Sequence, residues 1–385
     1  MCNCEPKKIL ITSTDLMMHH FLVPHVKNLS KNRFEVSIAC SIVGDKLPEV
    51  QKELGKGIKI YTVRLVRKPF SRYNLQGYLD LKEIVAKNKF DIIWTNEPVM
   101  GVVTRAAAKR SGLKGTKIVY MAHGFHFYKG APLKNWLLYF SAEWLCSWWT
   151  DVLITINKED YNRAKKRLHA RKTVYVPGVG IDLEKFHSGT HTGADKRKEL
   201  GLEDSDIMLL SVGELNKGKN HEAVMRAIYE LENPDVKYFI CGTGVLEDRL
   251  NSLIRRLHIE GQVKLLGYRT DISELCQAAD LFVFPSFREG LPVALMEAIA
   301  CKTPVVCSRI RGNTDLVADD RFLFDGKDIK SLVEVLKWSV TDRKDMQESM
   351  KMVVNKNYRH LKRFEREAVC KKMMRLFSEI AGTER

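Results

Sequence analysis

Residues 285–300 read Pro-Ser-Phe-Arg-Glu-Gly-Leu-Pro-Val-Ala-Leu-Met-Glu-Ala-Ile-Ala, and the rest of the chain is interpreted outward from this stretch. A short apolar strand, Leu281–Phe284, precedes it, and its second proline predicts that a helix begins near Pro292. Glu289 then lies in the loop before the helix, and Glu297 lies about two turns inside it. The free N–H groups of a helix N-terminus suit a diphosphate, whereas a carboxylate beside them suits sugar hydroxyls. Two solvated glutamates on an ordinary strand–loop–helix unit are the plain alternative.

Length, composition and charge narrow the possibilities. A chain of 385 residues, 45% of them hydrophobic, suits two globular domains of ordinary size. The net charge of +16 is carried by the first half, because residues 1–187 hold 31 Lys and Arg against 16 Asp and Glu. This asymmetry predicts an anionic partner, namely a membrane surface or a phosphate-bearing acceptor. Nucleic acid ranks last, since the sequence shows no nucleic-acid-binding module.

The N-terminus and the cysteines indicate the compartment. The chain leads from Met1 into a strand at Ile9 without the pattern of a secretory signal. Its nine cysteines are scattered without metal-ligand spacing, and Cys2 and Cys4 form a lone Cys-x-Cys. We therefore expect free thiols in a reducing cytosol and no metal site.

Short apolar strands alternate with helical stretches through the first half. The strands are predicted at 9–13, 35–40, 58–63, 91–95, 117–121 and 152–156. This alternation predicts an α/β fold with a parallel, doubly wound sheet, whose ligands bind beyond the carboxyl ends of the strands. His123 follows one of these strand ends beside Gly124, which makes it a candidate active-site residue, although an isolated histidine more often caps a loop. His126 is a second candidate, for contact with an acceptor.

Two neighbouring stretches suggest a lipid surface. Residues 135–149 are rich in tryptophan, leucine and tyrosine, but the run is too short to span a membrane and Glu143 interrupts it. Residues 163–172 form a basic cluster. A buried helix and a solvated charged face are the structural interpretations, and peripheral association with an anionic membrane is the functional one.

The second half begins after a linker and has polar loops where its predicted strands end. Pro177, Gly178 and Gly180 precede a polar, turn-rich tract at 188–195, which predicts a domain boundary. Three later strands are each followed by a glycine-containing loop; these loops contain Gly213-Glu214-Leu-Asn-Lys217-Gly-Lys219, Gly242-Thr-Gly244 and Gly267-Tyr268-Arg269. A glycine and a lysine at a strand end favour ligand contact, while Gly-x-Gly by itself is often only a tight turn.

The stretch 285–300 resembles the E-x7-E motif of the family 4 retaining nucleotide-sugar glycosyltransferases, and the resemblance runs along nearly the whole chain. It implies the GT-B fold, in which two Rossmann-like domains with parallel sheets face each other across a cleft. Residues 1–187 would then bind the acceptor and residues 188–360 the nucleotide sugar. Residues 361–385 would form a helix that packs back on the first domain.

The resemblance also implies roles for single residues. His123 matches the histidine that contacts the donor sugar, Glu289 would bind hydroxyls of the transferred sugar, and Glu297 would bind ribose. Lys219 matches the lysine that neutralises the donor diphosphate. The other implied donor-binding residues surround the nucleotide and its phosphates: Gly213, Glu214, Lys217, Gly242, Gly244, Tyr268, Arg269, Gly290, Leu291 and Pro292.

The chain departs from the family pattern at two loops. The usual Gly-Gly pair after the first strand is absent from the segment that begins at Thr12, and the usual arginine of G-R-x4-K is Glu214. A carboxylate cannot bind a diphosphate. Either Lys217 or another cation therefore replaces the arginine, or Glu214 binds hydroxyls.

Together these features predict a retaining glycosyltransferase that moves a hexosyl or N-acetylhexosaminyl group from a nucleotide sugar, which we expect to be a UDP-sugar. The expected acceptor is a glycan or a polyprenyl-diphosphate-linked sugar, in capsule or exopolysaccharide biosynthesis at the inner face of the cell membrane. No cofactor and no divalent metal is expected. Three alternatives stay open: a sugar-nucleotide epimerase of the same fold, a non-catalytic nucleotide-sugar-binding protein, and a membrane-associated scaffold.

Overall fold

The structure is a computed structural model that describes residues 5–15, 19–32, 34–41, 47–55, 57–110, 115–186, 192–341 and 343–383. The chain forms two compact units. The first comprises Met1–Gly180 and Arg366–Arg385, and the second comprises Ile181–Glu365. The predicted boundary between residues 187 and 188 lies outside the described residues, as do Cys2 and Cys4.

The first unit is built on a parallel sheet of seven strands. The strands are β1 (Lys7–Asp15), β2 (Phe34–Ser41), β3 (Lys59–Thr62), β4 (Ile92–Asn96), β5 (Lys117–Ala122), β6 (Val152–Thr155) and β7 (Lys172–Tyr175). Their order across the sheet is β3-β2-β1-β4-β5-β6-β7, with every pairing parallel. β1 therefore lies between β2 and β4, and the doubly wound sheet predicted for the first half is confirmed. The carboxyl ends of β1, β4 and β5 are neighbours at one edge.

Helices follow most of these strands. They are α1 (His19–Lys31), α2 (Leu47–Leu54), α3 (Arg72–Lys87), α4 (Pro98–Arg110), α5 (Leu133–Asn135), α6 (Ser141–Ser147) and α7 (Lys158–Arg167), with a π-helical turn at Trp136–Phe140. α3 begins where it does because the Ser71 hydroxyl accepts a hydrogen bond from the Tyr73 N–H. One core of this unit packs Leu81 and Val85 of α3 against Leu10 and Ile93 of the sheet.

Glu143 fixes the aromatic segment to the first unit. Arg105 Nη2 lies 2.7 Å from Glu143 Oε2, and the Tyr120 hydroxyl donates to Glu143 Oε1 at 2.7 Å. All three side chains are buried. The glutamate that interrupts the apolar run thus points inward to a buried ion pair, and Trp144, Leu145 and Trp148 lie exposed.

The second unit is built on a parallel sheet of six strands. They are β8 (Ile207–Val212), β9 (Val236–Cys241), β10 (Val263–Gly267), β11 (Leu281–Phe284), β12 (Val305–Ser308) and β13 (Leu323–Phe324). Their order is β10-β9-β8-β11-β12-β13. The order reverses at β8, which is where an open α/β sheet of this kind binds its ligands. The loops after β8, β9 and β11 are neighbours for this reason.

The helices of the second unit flank this sheet. They are α8 (Thr192–Glu199), α9 (His221–Leu231), α10 (Glu247–Leu257), α11 (Ile272–Ala278), α12 (Val293–Ala300), α13 (Asn313–Leu316), α14 (Ile329–Thr341) and α15 (Arg343–Leu361). The α12 residues Leu295 and Met296 are completely buried, as is Phe282 of β11. Burial of side chains of this size stabilises a fold by about 1.5–3 kcal/mol each.

The C-terminal part of the chain forms two helices, and the second of them lies within the predicted segment 361–385. A short 3-10 turn at Lys362–Phe364 ends α15, and α16 (Arg366–Ala381) begins after Glu365, whose backbone is extended. α15 belongs to the second unit and α16 to the first. In the first unit Phe377 of α16 contacts the buried Trp94, with ring centres 5.1 Å apart.

The described residues also show the state of the cysteines and the apolar character of the helices. Every cysteine among the described residues is a free thiol. In the part of the chain that the structure describes, no helix combines the length and the apolar character needed to cross a bilayer.

Candidate active site

A lysine and a glutamate from two loops meet at the carboxyl edge of the second sheet. Lys219 follows β8 and Glu289 follows β11, and these two strands pair side by side. Lys219 Nζ lies 2.7 Å from Glu289 Oε1, and the two side chains retain 25% and 14% of their exposure. The lysine runs past Gly213, where a Cβ would lie 3.1 Å from Lys219 Cδ. Glycine at this position therefore gives the lysine its route to the glutamate.

Gly242 and Gly244 allow the end of β9 to approach the same loop. A Cβ on Gly242 would lie 2.0 Å from the carbonyl oxygen of Gly213, and one on Gly244 would lie 2.6 Å from that of Leu215. Gly242 also has a φ of 148°, which side chains rarely adopt. The Gly-x-Gly is therefore more than a tight turn, because it supports the backbone that carries Lys219.

The helix α12 begins a few residues after Glu289. Pro292 is its N-cap and α12 begins at Val293, so the helix starts one residue later than the sequence predicts. Proline occupies the cap rather than the first helical turn. The first N–H groups of any helix lack intrahelical acceptors, and those of α12 follow directly on Gly290 and Leu291.

Arg311 supports the backbone of Glu289 from the loop after β12. Its Nε donates to the carbonyl oxygen of Glu289 at 3.1 Å, and the side chain is buried. Gly312 lies beside it, and a Cβ there would be 2.6 Å from the carbonyl oxygen of Gly290. The structure thus places Arg311 behind the loop that carries Glu289.

Glu297 lies in α12 with its carboxyl group mostly removed from water. Burial raises the pKa of Glu297 to about 7, against the smaller opposite effect of Lys185. The protonated form is therefore favoured at neutral pH far more than in an ordinary glutamate. Such a group can donate as well as accept a hydrogen bond, which suits contact with hydroxyls.

Two residues predicted to bind the nucleotide-sugar donor, Tyr268 and Arg269, differ in how free their side chains are to do so. Arg269 donates from Nε to Asp271 at 2.8 Å and from Nη2 to Glu199 at 2.9 Å, so its charge is already balanced by carboxylates. Tyr268 is 78% exposed. Of the two, only Tyr268 presents a free surface on which a base could stack.

Glu214 and Lys217 are both exposed and neither joins the Lys219–Glu289 pair. Lys217 instead lines a cavity of about 510 Å³ on the α9 side of the loop, together with Arg226 and Arg249. Lys219 is thus the lysine of this loop that reaches Glu289.

The first unit has a network of its own at the carboxyl edge of its sheet. His123 Nε2 lies 3.0 Å from Asn96 Oδ1, and Asn96 Nδ2 donates to the Thr12 carbonyl at 3.2 Å. Because the amide oxygen accepts, Nε2 of His123 carries the hydrogen. Burial lowers the pKa of His123 to about 4, so the ring is neutral at pH 7. Asn96 was missed from the sequence, although its place directly after an apolar strand is the signal that identified His123.

Glu97, Asp15 and Arg67 extend this network. The Thr14 N–H donates to Glu97 Oε2 at 2.7 Å. Arg67 Nη2 lies 2.8 Å from Asp15 Oδ2 and 3.7 Å from Glu97 Oε1. Asp15 is the last residue of β1, and Glu97 follows the last residue of β4. The two carboxylates are close together because β1 and β4 are neighbours in the sheet. The sequence interpretation passed over all three residues.

His126 packs against the aromatic segment of residues 135–149. Its ring stacks on Tyr139 with centres 4.3 Å apart, and its carbonyl oxygen accepts from Asn135 Nδ2 at 3.0 Å. These contacts hold the loop after β5 against residues 135–149.

The described residues hold no group of three or more His, Cys, Asp or Glu side chains that could bind a metal ion. Asp204 and Asp206 have Asp-x-Asp spacing, but they precede β8 and so lie at the amino end of that strand, opposite to Lys219. Asp206 accepts there from the Glu203 N–H at 2.9 Å.

Comparison with known proteins identifies the family. The model for glycosyl transferases group 1 matches residues 194–359, and the glycosyl transferase 4-like model matches residues 8–157. EpsD of Bacillus subtilis (strain 168), itself assigned to the glycosyltransferases, is 35% identical over 81% of this chain and 81% of its own length. The UDP-Gal:alpha-D-GlcNAc-diphosphoundecaprenol alpha-1,3-galactosyltransferase of Escherichia coli is 30% identical over 82% of each chain.

Solved structures agree on the fold. Anabaena HepE, crystallised with UDP and glucose, superposes with a TM-score of 0.78 over 97% of this chain and 100% of its own, at 19% identity. Sucrose-phosphate synthase from Thermosynechococcus elongatus gives 0.80 over 98% and 100%, at 16% identity. The chain belongs to the family 4 glycosyltransferases with the GT-B fold. It is a glycosyltransferase of polysaccharide biosynthesis.

Proposed function

We propose that this glycosyltransferase moves a hexosyl or N-acetylhexosaminyl group from a UDP-sugar to a polyprenyl-diphosphate-linked sugar, with retention and without a divalent metal. The observation that carries the proposal is the contact between Lys219 and Glu289 beside the N-terminus of α12. The E. coli relative supports the donor and the acceptor, since its name specifies UDP-Gal and a diphosphoundecaprenol-linked sugar. The alpha configuration in its name is also the one that retention gives from an alpha-linked UDP-sugar.

Each group at the second unit's edge has a chemical task in this proposal. The donor diphosphate lies against the first N–H groups of α12 and the Lys219 ammonium, which stabilise the charge that develops on the leaving UDP. Glu289 accepts hydrogen bonds from hydroxyls of the transferred sugar, and its contact with Lys219 holds both groups in place. Glu297 binds the ribose hydroxyls. His123 of the first unit contacts the donor sugar as a neutral ring.

The reaction exchanges one bond for another. An acceptor hydroxyl attacks the anomeric carbon on the face from which UDP departs, the bond from that carbon to the phosphate oxygen breaks, and a new glycosidic bond forms. The departing phosphate oxygen takes the proton of the acceptor hydroxyl. The products are UDP and the extended acceptor, with the anomeric configuration retained.

A surface of the first unit suits the membrane that would carry such an acceptor. The aromatic–basic surface comprises Leu137, Trp144, Leu145, Trp148, Lys165, Lys166 and Arg167, all of them exposed. His169 stacks on Trp148 at 4.1 Å between ring centres, and Arg167 lies 5.9 Å from the centre of the Trp136 ring, so the apolar and basic parts adjoin. Aromatic and cationic side chains together favour an anionic lipid interface.

Product formation tests the function. Each UDP-sugar is incubated with the protein, with and without N-acetylglucosaminyl diphosphoundecaprenol, in the presence of EDTA, and products are followed by mass spectrometry and by NMR of the anomeric proton. The proposal expects acceptor-dependent UDP release and an alpha linkage. Isomerised donor without acceptor would favour an epimerase, and UDP binding without any product would favour a non-catalytic protein.

Vesicle flotation tests the membrane surface. The double variant Leu145→Ser, Trp148→Ser should bind vesicles containing phosphatidylglycerol several-fold more weakly than wild type. Val245→Ser is the control, because Val245 is 89% exposed on the second unit. Equal binding of wild type and the double variant would exclude this surface.

A further inference from the structure

The carboxyl edge of the first sheet holds three charged groups beside His123, namely Asp15, Glu97 and Arg67, to which the proposed function gives no role. His123 contacts Asn96, Glu97 is the next residue along the chain, and Arg67 pairs with both Glu97 and Asp15. The two carboxylate side chains are 14% and 11% exposed, whereas the arginine side chain is 62% exposed. The carboxylates therefore form the inner part of the set and the guanidinium the outer part.

Glu97 is held in an unusual backbone conformation. Its φ is 65°, a left-handed value that non-glycine residues seldom adopt. The Thr14 N–H fixes its side chain at 2.7 Å, and burial raises the pKa of its carboxyl group. Backbone strain of this kind persists where the surrounding structure imposes it, and it is enriched at functional sites.

The segment that carries Arg67 is built by one buried side chain. Asn74 Nδ2 donates to the carbonyl oxygens of Lys68 and Pro69 at 2.7 and 3.1 Å, and Asn74 Oδ1 accepts from the Val66 N–H at 3.0 Å. These contacts present Phe70 with 85% of its surface exposed. The segment that pairs with Asp15 and Glu97 through Arg67 therefore also carries a second cation, Lys68, and the exposed ring of Phe70.

We propose that Asp15, Glu97 and Arg67 recognise the sugar diphosphate of the acceptor, with Phe70 contacting the first part of its lipid. This rests on the proposed function. The inner carboxylates accept hydrogen bonds from hydroxyls of the acceptor sugar, a position from which they repel phosphate. The outer face of the Arg67 guanidinium, which has five donors and uses Nη2 for the carboxylates, binds the diphosphate together with Lys68.

Arg67 and a matched control arginine, Arg64, test whether the charge of Arg67 binds the acceptor diphosphate. Arg64 is 60% exposed and is paired with Asp80 at 2.5 Å, so Arg64→Gln removes the same charge and the same kind of ion pair three residues away. Arg67→Gln should raise the KM for N-acetylglucosaminyl diphosphoundecaprenol about tenfold or more, which corresponds to about 1.4 kcal/mol. Arg64→Gln should leave it within about twofold, and Arg67→Lys should recover part of the loss. UDP binding should be equal in all variants.

The lipid and sugar contacts are tested on the same assay. Phe70→Ser should raise the KM for the undecaprenyl acceptor but not for an analogue whose diphosphate carries only a methyl group. Glu97→Gln, which keeps an oxygen for the Thr14 N–H, should raise the KM for both acceptors equally. Thermal unfolding close to that of wild type would show that these variants are folded.

The outcomes separate this inference from the proposed function. If wild type transfers sugar and Arg67→Gln behaves like Arg64→Gln, the pair of carboxylates and Arg67 is only a structural ion network and the inference is wrong. If wild type transfers no sugar to any diphosphate-linked acceptor, the proposed function fails and the inference fails with it.

Discussion

Lys219 Nζ and Glu289 Oε1 lie 2.7 Å apart although 70 positions separate the two residues in sequence. The contact joins the two loops of the second unit that the sequence marks as functional. In the proposed function this contact positions Lys219 for the diphosphate in a loop that has Glu214 in the place of the usual arginine. The single cation of the pair is positioned by a carboxylate on the neighbouring loop, and Arg311 in turn holds the backbone of that loop.

Removal of the Lys219 charge should affect turnover more than folding. Lys219→Met is expected to lower kcat about 100-fold, because one donor to a developing negative charge contributes about that much. Lys217→Met is the control from the same loop, since Lys217 is exposed and lines the cavity beside α9. Steady-state kinetics with saturating acceptor measures both. Equal losses in the two variants would contradict the assignment of Lys219.

The two glutamates of the stretch 285–300 should separate in their effects. Glu297→Ala is expected to weaken UDP binding, since Glu297 faces the nucleotide's ribose in the proposed site. Glu289→Ala is expected to lower turnover with a smaller effect on UDP binding. Calorimetric titration with UDP and a transfer assay distinguish them. Unchanged affinity and activity in both variants would remove the site.

The raised pKa of Glu297 predicts a pH dependence of stability. The folded carboxyl group titrates at about 7 and the unfolded one near 4.5, so the folded state holds its proton more tightly. Its contribution to stability is fully present below pH 4.5 and is lost as the pH rises through about 7. The melting temperature of wild type minus that of Glu297→Gln should therefore be larger at pH 5 than at pH 8. A difference that is constant with pH would show that the carboxyl group is not perturbed.

Ionisation of Glu297 should also be visible in ligand binding. A carboxylate accepts hydrogen bonds from hydroxyls more strongly than a neutral acid does. UDP affinity of the wild type should increase between pH 6 and pH 8, while that of Glu297→Gln should change less. Parallel profiles for the two proteins would contradict the ribose contact.

Substitution of Gly242 tests the packing beneath the site. Gly242→Ala places a methyl group 2.0 Å from the Gly213 carbonyl oxygen at a φ of 148°, so the free energy of unfolding should fall by about 2 kcal/mol or more. Gly261→Ala is the control, because nothing lies within 4 Å of its Cβ. Chemical denaturation of the two variants gives the comparison. A Gly242→Ala protein as stable as the control would mean that β9 and the loop after β8 are not in close contact.

The sequence predicts the sheets well because their strands are continuous apolar runs. It also locates the Lys219 and Glu289 loops, since both follow such strands. It does not predict that β8 and β11 are neighbours, and the ion pair depends on that order. The sequence likewise does not predict the contact between Arg269 and Glu199, because the two residues are 70 positions apart.

The first unit shows a different limit. Asn96 and Glu97 follow a strand just as His123 does, but nothing in the residue types signals the positive φ of Glu97 or the reach of Arg67. The extended backbone at Glu365, which separates α15 from α16, is likewise not signalled by the residue types. Local conformations of this kind are imposed by tertiary contacts rather than by propensity.

The most direct measurement is sugar transfer by wild type and Glu289→Gln from each UDP-sugar to N-acetylglucosaminyl diphosphoundecaprenol. The site described here predicts that wild type converts one UDP-sugar into UDP and an alpha-linked product, and that Glu289→Gln is at least tenfold slower while still binding UDP. Transfer at the same rate by both proteins, or a beta-linked product, would contradict it.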